Sequence, residues 1–275
     1  MTRLLGYLAN QSDRIRCALT LEEDPLRFGA ARADGWGVGR DQGSDVLLRR
    51  KPTEARDTVK LLDLVRDLRT TCAIAHVRTA TVGVRSLDNT HPVRYRHWLW
   101  AHNGTLPNFA DTRRKLTEEV PEHIARNVRG DTDSELAFHV FLAHVYRTGR
   151  LEDPDFDRTA VASALGETVQ TIDRVCGPGA VLNVVVTNGQ SMVALRRGRP
   201  LSWFKRQGVR DCAVCRKAPE LTGREPRRVD HETFRYVLLA SDGAIEAPGW
   251  RALPESPNGA CAAVDRNLDV QEIVF

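Results

Sequence analysis

The feature that most constrains this chain is its opening. Residues 3–8 (RLLGYL) read as a buried strand at the extreme amino end, and the chain turns polar and helix-compatible from Gln11. A strand with apolar side chains on both faces belongs inside a layered structure rather than at its rim. A core strand in that position also holds residue 2 rigidly at a strand end.

The pattern beyond it is strands, then helices, then strands. Short strands are expected at 35–40 (GWGVGR), 45–50 (DVLLRR), 72–78 (CAIAHVR) and 97–102 (HWLWAH). Residues 57–69 place Leu61, Val65 and Leu68 on one helical face, with Asp57 as cap. A helical region runs from about 109 to 176. Within it, Asp133 or Ser134 caps a helix carrying Leu136, Val140 and Phe141 that stops near Gly149. Val161, Leu165, Val169 and Ile172 mark another amphipathic helix. Strands return at 181–187, 191–197, 235–240 and 271–275. This order implies an α+β protein with sheets packed on each other and helices outside. No repeat, low-complexity tract or linker divides the chain, so 1–275 reads as one domain. The stretch around 203–232 is the one candidate for a long loop.

Composition adds exclusions. With 275 residues, 41% hydrophobic and 28% charged, the chain is long enough for one large core. No apolar run reaches the roughly 18 residues a membrane helix needs, and MTRLLGYLANQSDR turns polar too early for a signal peptide. The expectation is a cytoplasmic protein without a membrane partner. Net charge is +4, but residues 196–228 hold eleven Lys/Arg against three Asp/Glu, a local +8 on a mildly acidic remainder. Trp203 and Phe204 interleave with that basic run, yet no nucleic-acid recognition fold accompanies it, and no nucleic-acid partner is expected. Six cysteines, at 17, 72, 176, 212, 215 and 261, read as free thiols. Cys212 and Cys215 form an isolated CxxC with His231 as the only nearby histidine, short of the four ligands of structural zinc. They read as two cysteines in a loop, and no metal or cofactor is expected.

Four short stretches carry the chemistry: AHVRTATVG (75–83), NTHPV (89–93), WAHNGTL (100–106) and GDTDSE (130–135). Singly each is bland, since Asn-Gly favours turns and TDSE starts helices. In this order, behind an RLLGY strand and a GWGVG strand, they resemble the glutaminase domain of the class II glutamine amidotransferases, above all its small stand-alone γ-glutamyl hydrolases of thiol metabolism. The resemblance covers essentially the whole chain. It implies the four-layer αββα sandwich of N-terminal-nucleophile hydrolases and a pocket for glutamine or a γ-glutamyl compound. By position, Arg78 matches the arginine that grips the substrate α-carboxylate and Asp133 the carboxylate that meets its α-ammonium. The physics agrees, because a planar guanidinium fork suits a carboxylate. Thr81 and His91 match pocket-lining positions, although His91 also reads as a core histidine. Asn103 and the Gly104 backbone N–H match the oxyanion hole, where glycine permits a close approach. His76 and His102 read as structural, and Glu135 as a capping partner.

The resemblance also implies that Met1 is removed and that residue 2, a cysteine in this family, attacks the amide carbon with its own α-amine as base. Here residue 2 is Thr2. A threonine with a free α-amine is a workable nucleophile–base pair, but thiol is the better nucleophile near neutral pH. Three readings stand: a working Thr2, a γ-glutamyl-binding or regulatory protein without turnover, or a deliberate inactivating substitution. No synthase domain follows residue 275, so released ammonia is expected either to go unused or to reach a separate partner subunit.

Overall fold

The computed structural model describes residues 3–22, 26, 31–43, 45–54, 58–65, 67–79, 83–153, 155–216, 229–241 and 245–275. In chain order the elements are β1 (Arg3–Ala9), α1 (Ile15–Leu21), β2 (Ala31–Arg32), β3 (Gly35–Asp41), β4 (Val46–Pro52), β5 (Thr58–Val59), α2 (Leu61–Val65), β6 (Cys72–Arg78), β7 (Val93–Tyr95) and β8 (Trp98–Thr105). Then come α3 (Phe109–Glu118), α4 (Glu122–Ala125), α5 (Asp133–Arg147) and α6 (Arg158–Cys176). The strands β9 (Val181–Thr187), β10 (Met192–Arg196), β11 (Ser202–Val209), β12 (His231–Ser241), β13 (Trp250–Ala252), β14 (Ala260–Val264) and β15 (Val270–Val274) complete the order.

The strands form a seven-stranded sheet, β13-β11-β12-β1-β6-β3-β4, and a six-stranded sheet, β15-β14-β10-β9-β8-β7, with β2 and β5 as a separate ribbon. β1 lies at the centre of the first sheet, antiparallel to both β12 and β6. The core divides by strand parity, because alternate side chains point to opposite faces. Leu4, Leu8, Cys72, Ile74, Val237 and Leu239 meet Leu99, Ala101, Val185, Met192 and Ala194 between the sheets. Leu5, Tyr7, Ala73, Ala75, Val77 and Leu238 face outward to α1 and the Val65 end of α2. On the far side, Trp98, Trp100, Leu182, Val184 and Val186 face α3–α6. The result is an αββα stack.

The expected strands and the 109–176 helical block are present, with differences that have physical reasons. Helix α2 is five residues rather than thirteen, after the two-residue β5; Asp57 lies outside the described residues. The cap of α5 is Thr132, whose hydroxyl accepts from Glu135 N at 3.2 Å, rather than Asp133 or Ser134. Strand β11 takes the first part of the expected 203–232 loop. Its buried Trp203 and Phe204 lead into the charged tail Lys205–Arg206, which masks the strand pattern. β14 (ACAAV) is fully buried but alanine-rich, a composition with weak strand propensity.

Candidate active site

One end of the inter-sheet layer is polar. On β6, the face that begins with Cys72 and Ile74 continues with His76 and Arg78; on β8, Leu99 and Ala101 give way to Asn103; on β12, Val237 and Leu239 give way to Ser241. All four of these polar residues are buried. Register brings them together at the start of β1, where Leu4 pairs with His76 on one side and with Ser241 on the other, and Arg3 pairs with Val77 beside Arg78. The Asn103 amide donates to Ser241 Oγ at 3.4 Å and accepts from Arg199 Nη1 at 3.5 Å. Asn183 fixes the turn that carries Arg199: its amide donates to Arg199 O at 2.8 Å and accepts from Arg197 N at 3.2 Å.

Arg78 is held at the end of β6. Asp34 N donates to its carbonyl at 2.8 Å, and its Nη2 donates to Gly83 O at 3.4 Å. Burial lowers the pKa of its guanidinium, while Asp34, Asp131 and Asp133 act in the opposite direction. Asp133, at the amino end of α5, accepts from Leu106 N at 2.9 Å and from Ser134 N at 2.8 Å, tying the exit of β8 to the helix. Ser134 Oγ adds a third at 3.4 Å, and the carboxylate keeps further acceptor capacity.

The loops carrying the motifs are zipped together by Asn89. Its amide donates to Val84 O at 2.9 Å and to the Asp131 carboxylate, and accepts from Asp131 N at 3.0 Å. Arg50 Nη1 donates to Thr90 O at 3.1 Å from the neighbouring β4. His91 is buried with its ring edge-on to His76, centroids 4.6 Å apart, and among the described residues the His91 imidazole has no hydrogen-bond partner. Burial pushes His76 down to about 3 and holds His91 well below the ordinary range; His102, Arg78 and Arg50 add repulsion at His91. Both rings are therefore neutral. Gly37 is required here, since a Cβ on it would come within 2.2 Å of His91 O.

Residues 1–219 match the family model described as Glutamine amidotransferases class-II. The chain belongs to the class-II glutamine amidotransferases. It is 31% identical over 214 residues to the Saccharomyces cerevisiae "Probable glutamine amidotransferase DUG3", covering 71% of this chain and 58% of that one. With the Mycobacterium tuberculosis gamma-glutamyl-hercynylcysteine sulfoxide hydrolase it shares 28% over 181 residues, 66% of each protein. The match thus spans roughly three fifths to two thirds of these relatives' lengths. Among solved structures, a glutamine aminotransferase class-II domain protein from Silicibacter pomeroyi superposes with TM-score 0.58 at 18% identity over 99% of both chains. The glutamine phosphoribosylpyrophosphate amidotransferase of Bacillus subtilis does so with TM-score 0.54 at 14% identity, over 99% of this chain and 49% of that one. These likenesses establish the N-terminal-nucleophile amidotransferase fold.

Within this class-II amidotransferase chain, Thr2 and Thr81 lie outside the described residues. Arg78, Asn103, Gly104, His91 and Asp133 all lie in the four motif stretches that the fold gathers. Gly104 is indispensable for a local reason: a Cβ there would sit 1.8 Å from Val181 O on the adjacent strand. His102 bridges Ser134 Oγ at 2.8 Å and Val181 O at 3.0 Å, a structural role. Glu135 caps the preceding turn, accepting from Arg129 N at 3.0 Å and Gly130 N at 2.6 Å. The sequence reading missed Ser241, Arg199 and Asn183, which lie outside any short motif and reach Asn103 only through strand pairing. It also missed that the CxxC is not isolated. Cys17 of α1 and His231 of β12 join Cys212 and Cys215 in one cluster.

Proposed function

We propose that this protein is an amidohydrolase that cleaves the amide at the γ-carbon of glutamine or a γ-glutamyl compound, with Thr2 as nucleophile. The observation that supports it most is the meeting of Arg78, Asn103 and Ser241 at the amino end of the central strand β1. In this reading Arg78 forks onto the substrate α-carboxylate and Asp133 receives its α-ammonium, with Thr81 and His91 lining the pocket. The Thr2 hydroxyl attacks the amide carbon as its own α-amine takes the proton. The oxyanion is met by Asn103 Nδ2 and the Gly104 N–H. The C–N bond then breaks, the amine leaves with the proton, and water cleaves the resulting ester. The hydrolase name of the mycobacterial relative favours γ-glutamyl hydrolysis as the outcome. The whole of 1–275 acts as one domain in the cytoplasm, and a partner subunit accepts the released ammonia where it is used.

Thr2 itself favours a second reading, a γ-glutamyl-binding or regulatory protein without turnover, because the alcohol is the weaker nucleophile. The deciding experiment measures glutamate release from glutamine and γ-glutamyl peptides after intact mass shows removal of Met1. Hydrolysis is expected to rise in Thr2→Cys and vanish in Thr2→Ala, with ligand binding retained in both. Arg78→Lys is expected to weaken ligand binding by at least about tenfold, since a charge-assisted fork is lost. Retention of Met1 rejects the catalytic reading, and unchanged affinity in Arg78→Lys rejects Arg78 as the carboxylate grip.

A further inference from the structure

We propose that Cys17, Cys212, Cys215 and His231 form a structural zinc site, away from the candidate active site. The four residues come from three separate parts of the fold: the middle of α1, the turn after β11, and the first residue of β12. Their ligand atoms all lie within 4.8 Å of one another. Cys17 Sγ is 3.6 Å from Cys215 Sγ and 3.9 Å from His231 Nε2, and His231 Nε2 is 3.3 Å from Cys215 Sγ. A tetrahedral zinc with Zn–S near 2.3 Å and Zn–N near 2.0–2.1 Å has S···S edges of about 3.8 Å and S···N edges of about 3.5 Å. The three edges among Cys17, Cys215 and His231 already match these within about 0.4 Å, and Cys212 Sγ lies within 4.8 Å of each.

The backbone is arranged for the same end. Cys215 N and Arg216 N donate to Cys212 O at 3.1 and 2.9 Å, closing a single tight turn that presents both thiols of the CxxC together. Cys212 N donates to Val229 O at 2.8 Å, and Asp211 N to the Asp230 carboxylate at 2.6 Å, which ties this turn to the residues just before His231. Asp211 adopts a left-handed φ of 48° to make the bend. All six cysteines are free, so no disulfide accounts for the convergence. Three sulfurs and one imidazole nitrogen in a closed tetrahedron select zinc over hard, oxygen-seeking cations. Four protein ligands leave no open position, which makes the site structural rather than catalytic. Its effect is to clamp α1 to the sheet where the basic excursion leaves β11 and returns to β12.

The test uses the full chain, purified under reducing conditions without chelator from zinc-supplemented growth. Elemental analysis and native mass are expected to give about one zinc per chain. Titrating the wild-type protein with a mercurial is expected to release that zinc into a colorimetric chelator in step with thiol modification. This measurement does not depend on any variant folding. Cys215→Ser, at the least buried ligand, is expected to weaken zinc retention at least about tenfold against a competing chelator. Cobalt(II) loaded into the wild type is expected to show the visible bands of tetrahedral thiolate coordination, lost in Cys215→Ser. The proposal is overturned by zinc below about a tenth of an equivalent after reloading, by undiminished zinc in Cys215→Ser, or by a native mass two hydrogens light through a disulfide within the cluster.

Discussion

The two outer layers of this sandwich are built on opposite principles. Over the six-stranded sheet, α5 and α6 run 15 and 19 residues. They close on an aromatic core in which Trp100 stacks on Phe138 at 5.5 Å and Trp98 meets Phe141 edge-on at 5.4 Å. Every residue of α5 from Asp133 to Val145 is buried. Over the seven-stranded sheet, α1 has only seven residues and α2 five. Helices that short cannot stand on intrinsic propensity, and they bury little area. Polar ties supplement that area. Glu22, at the carboxyl end of α1, is buried and accepts from Arg206 Nη2 at 2.7 Å and Tyr236 OH at 2.9 Å, while the Cys–His cluster holds the middle of the helix. Both layers carry polar ties, but in the thin one they hold a larger share of the contact and each becomes a point of failure.

That contrast can be broken by mutation. The largest effect is expected in the thick layer, where Phe141→Ala should cost about 3–5 kcal/mol in urea unfolding and leave zinc content unchanged. In the thin layer, Glu22→Ala should cost about 2–3 kcal/mol, because Arg206 and Tyr236 lose a shared buried acceptor. Hydrogen exchange should localise that loss to α1 and β11. If Glu22→Ala proves costlier than Phe141→Ala, or loosens α5 as much as α1, the two layers are not distinct. Near neutral pH the smallest effect belongs to the layer between the sheets, and it grows only below about pH 6.5. His76 and His91 are neutral when folded, whereas in the unfolded chain each takes up a proton near its ordinary pKa of 6.5. The unfolded state then binds more protons below that pH. Stability is full above about pH 6.5 and falls as pH drops, by at most about 1.4 kcal/mol per pH unit per ring, with the His76 share levelling near pH 3. Urea midpoints at pH 7, 6 and 5 should show the slope, and His76→Asn should reduce it by the His76 share.

Much of this was readable from residues alone. Strand periodicity in RLLGYL, CAIAHVR and VLNVVVT survives folding because those segments are buried on both faces and carry little polar noise. The family-like stretches singled out Arg78, Asn103 and Asp133, and the fold buries all three. Hidden from that reading was whatever depends on pairing distant segments. Ser241 closes on Asn103 only because β12 and β8 end at the same level in facing sheets. Cys17 belongs with a CxxC nearly two hundred residues away, and no local pattern links a helix cysteine to a distant turn. Also hidden was a second demand on Gly104: its missing side chain makes room for Val181 O on β9.

The central place of β1 has a practical consequence for handling the protein. Its amino end enters the sheet between β12 and β6, next to Arg78 and Ser241. An affinity tag or fusion partner attached ahead of Arg3 has no free edge along which to leave. It is expected to compete with ligand as a tethered plug, an effect that removing the tag should relieve. Such a handle would mimic an inhibitor at millimolar effective concentration, and assays on tagged protein would report the tether rather than the pocket.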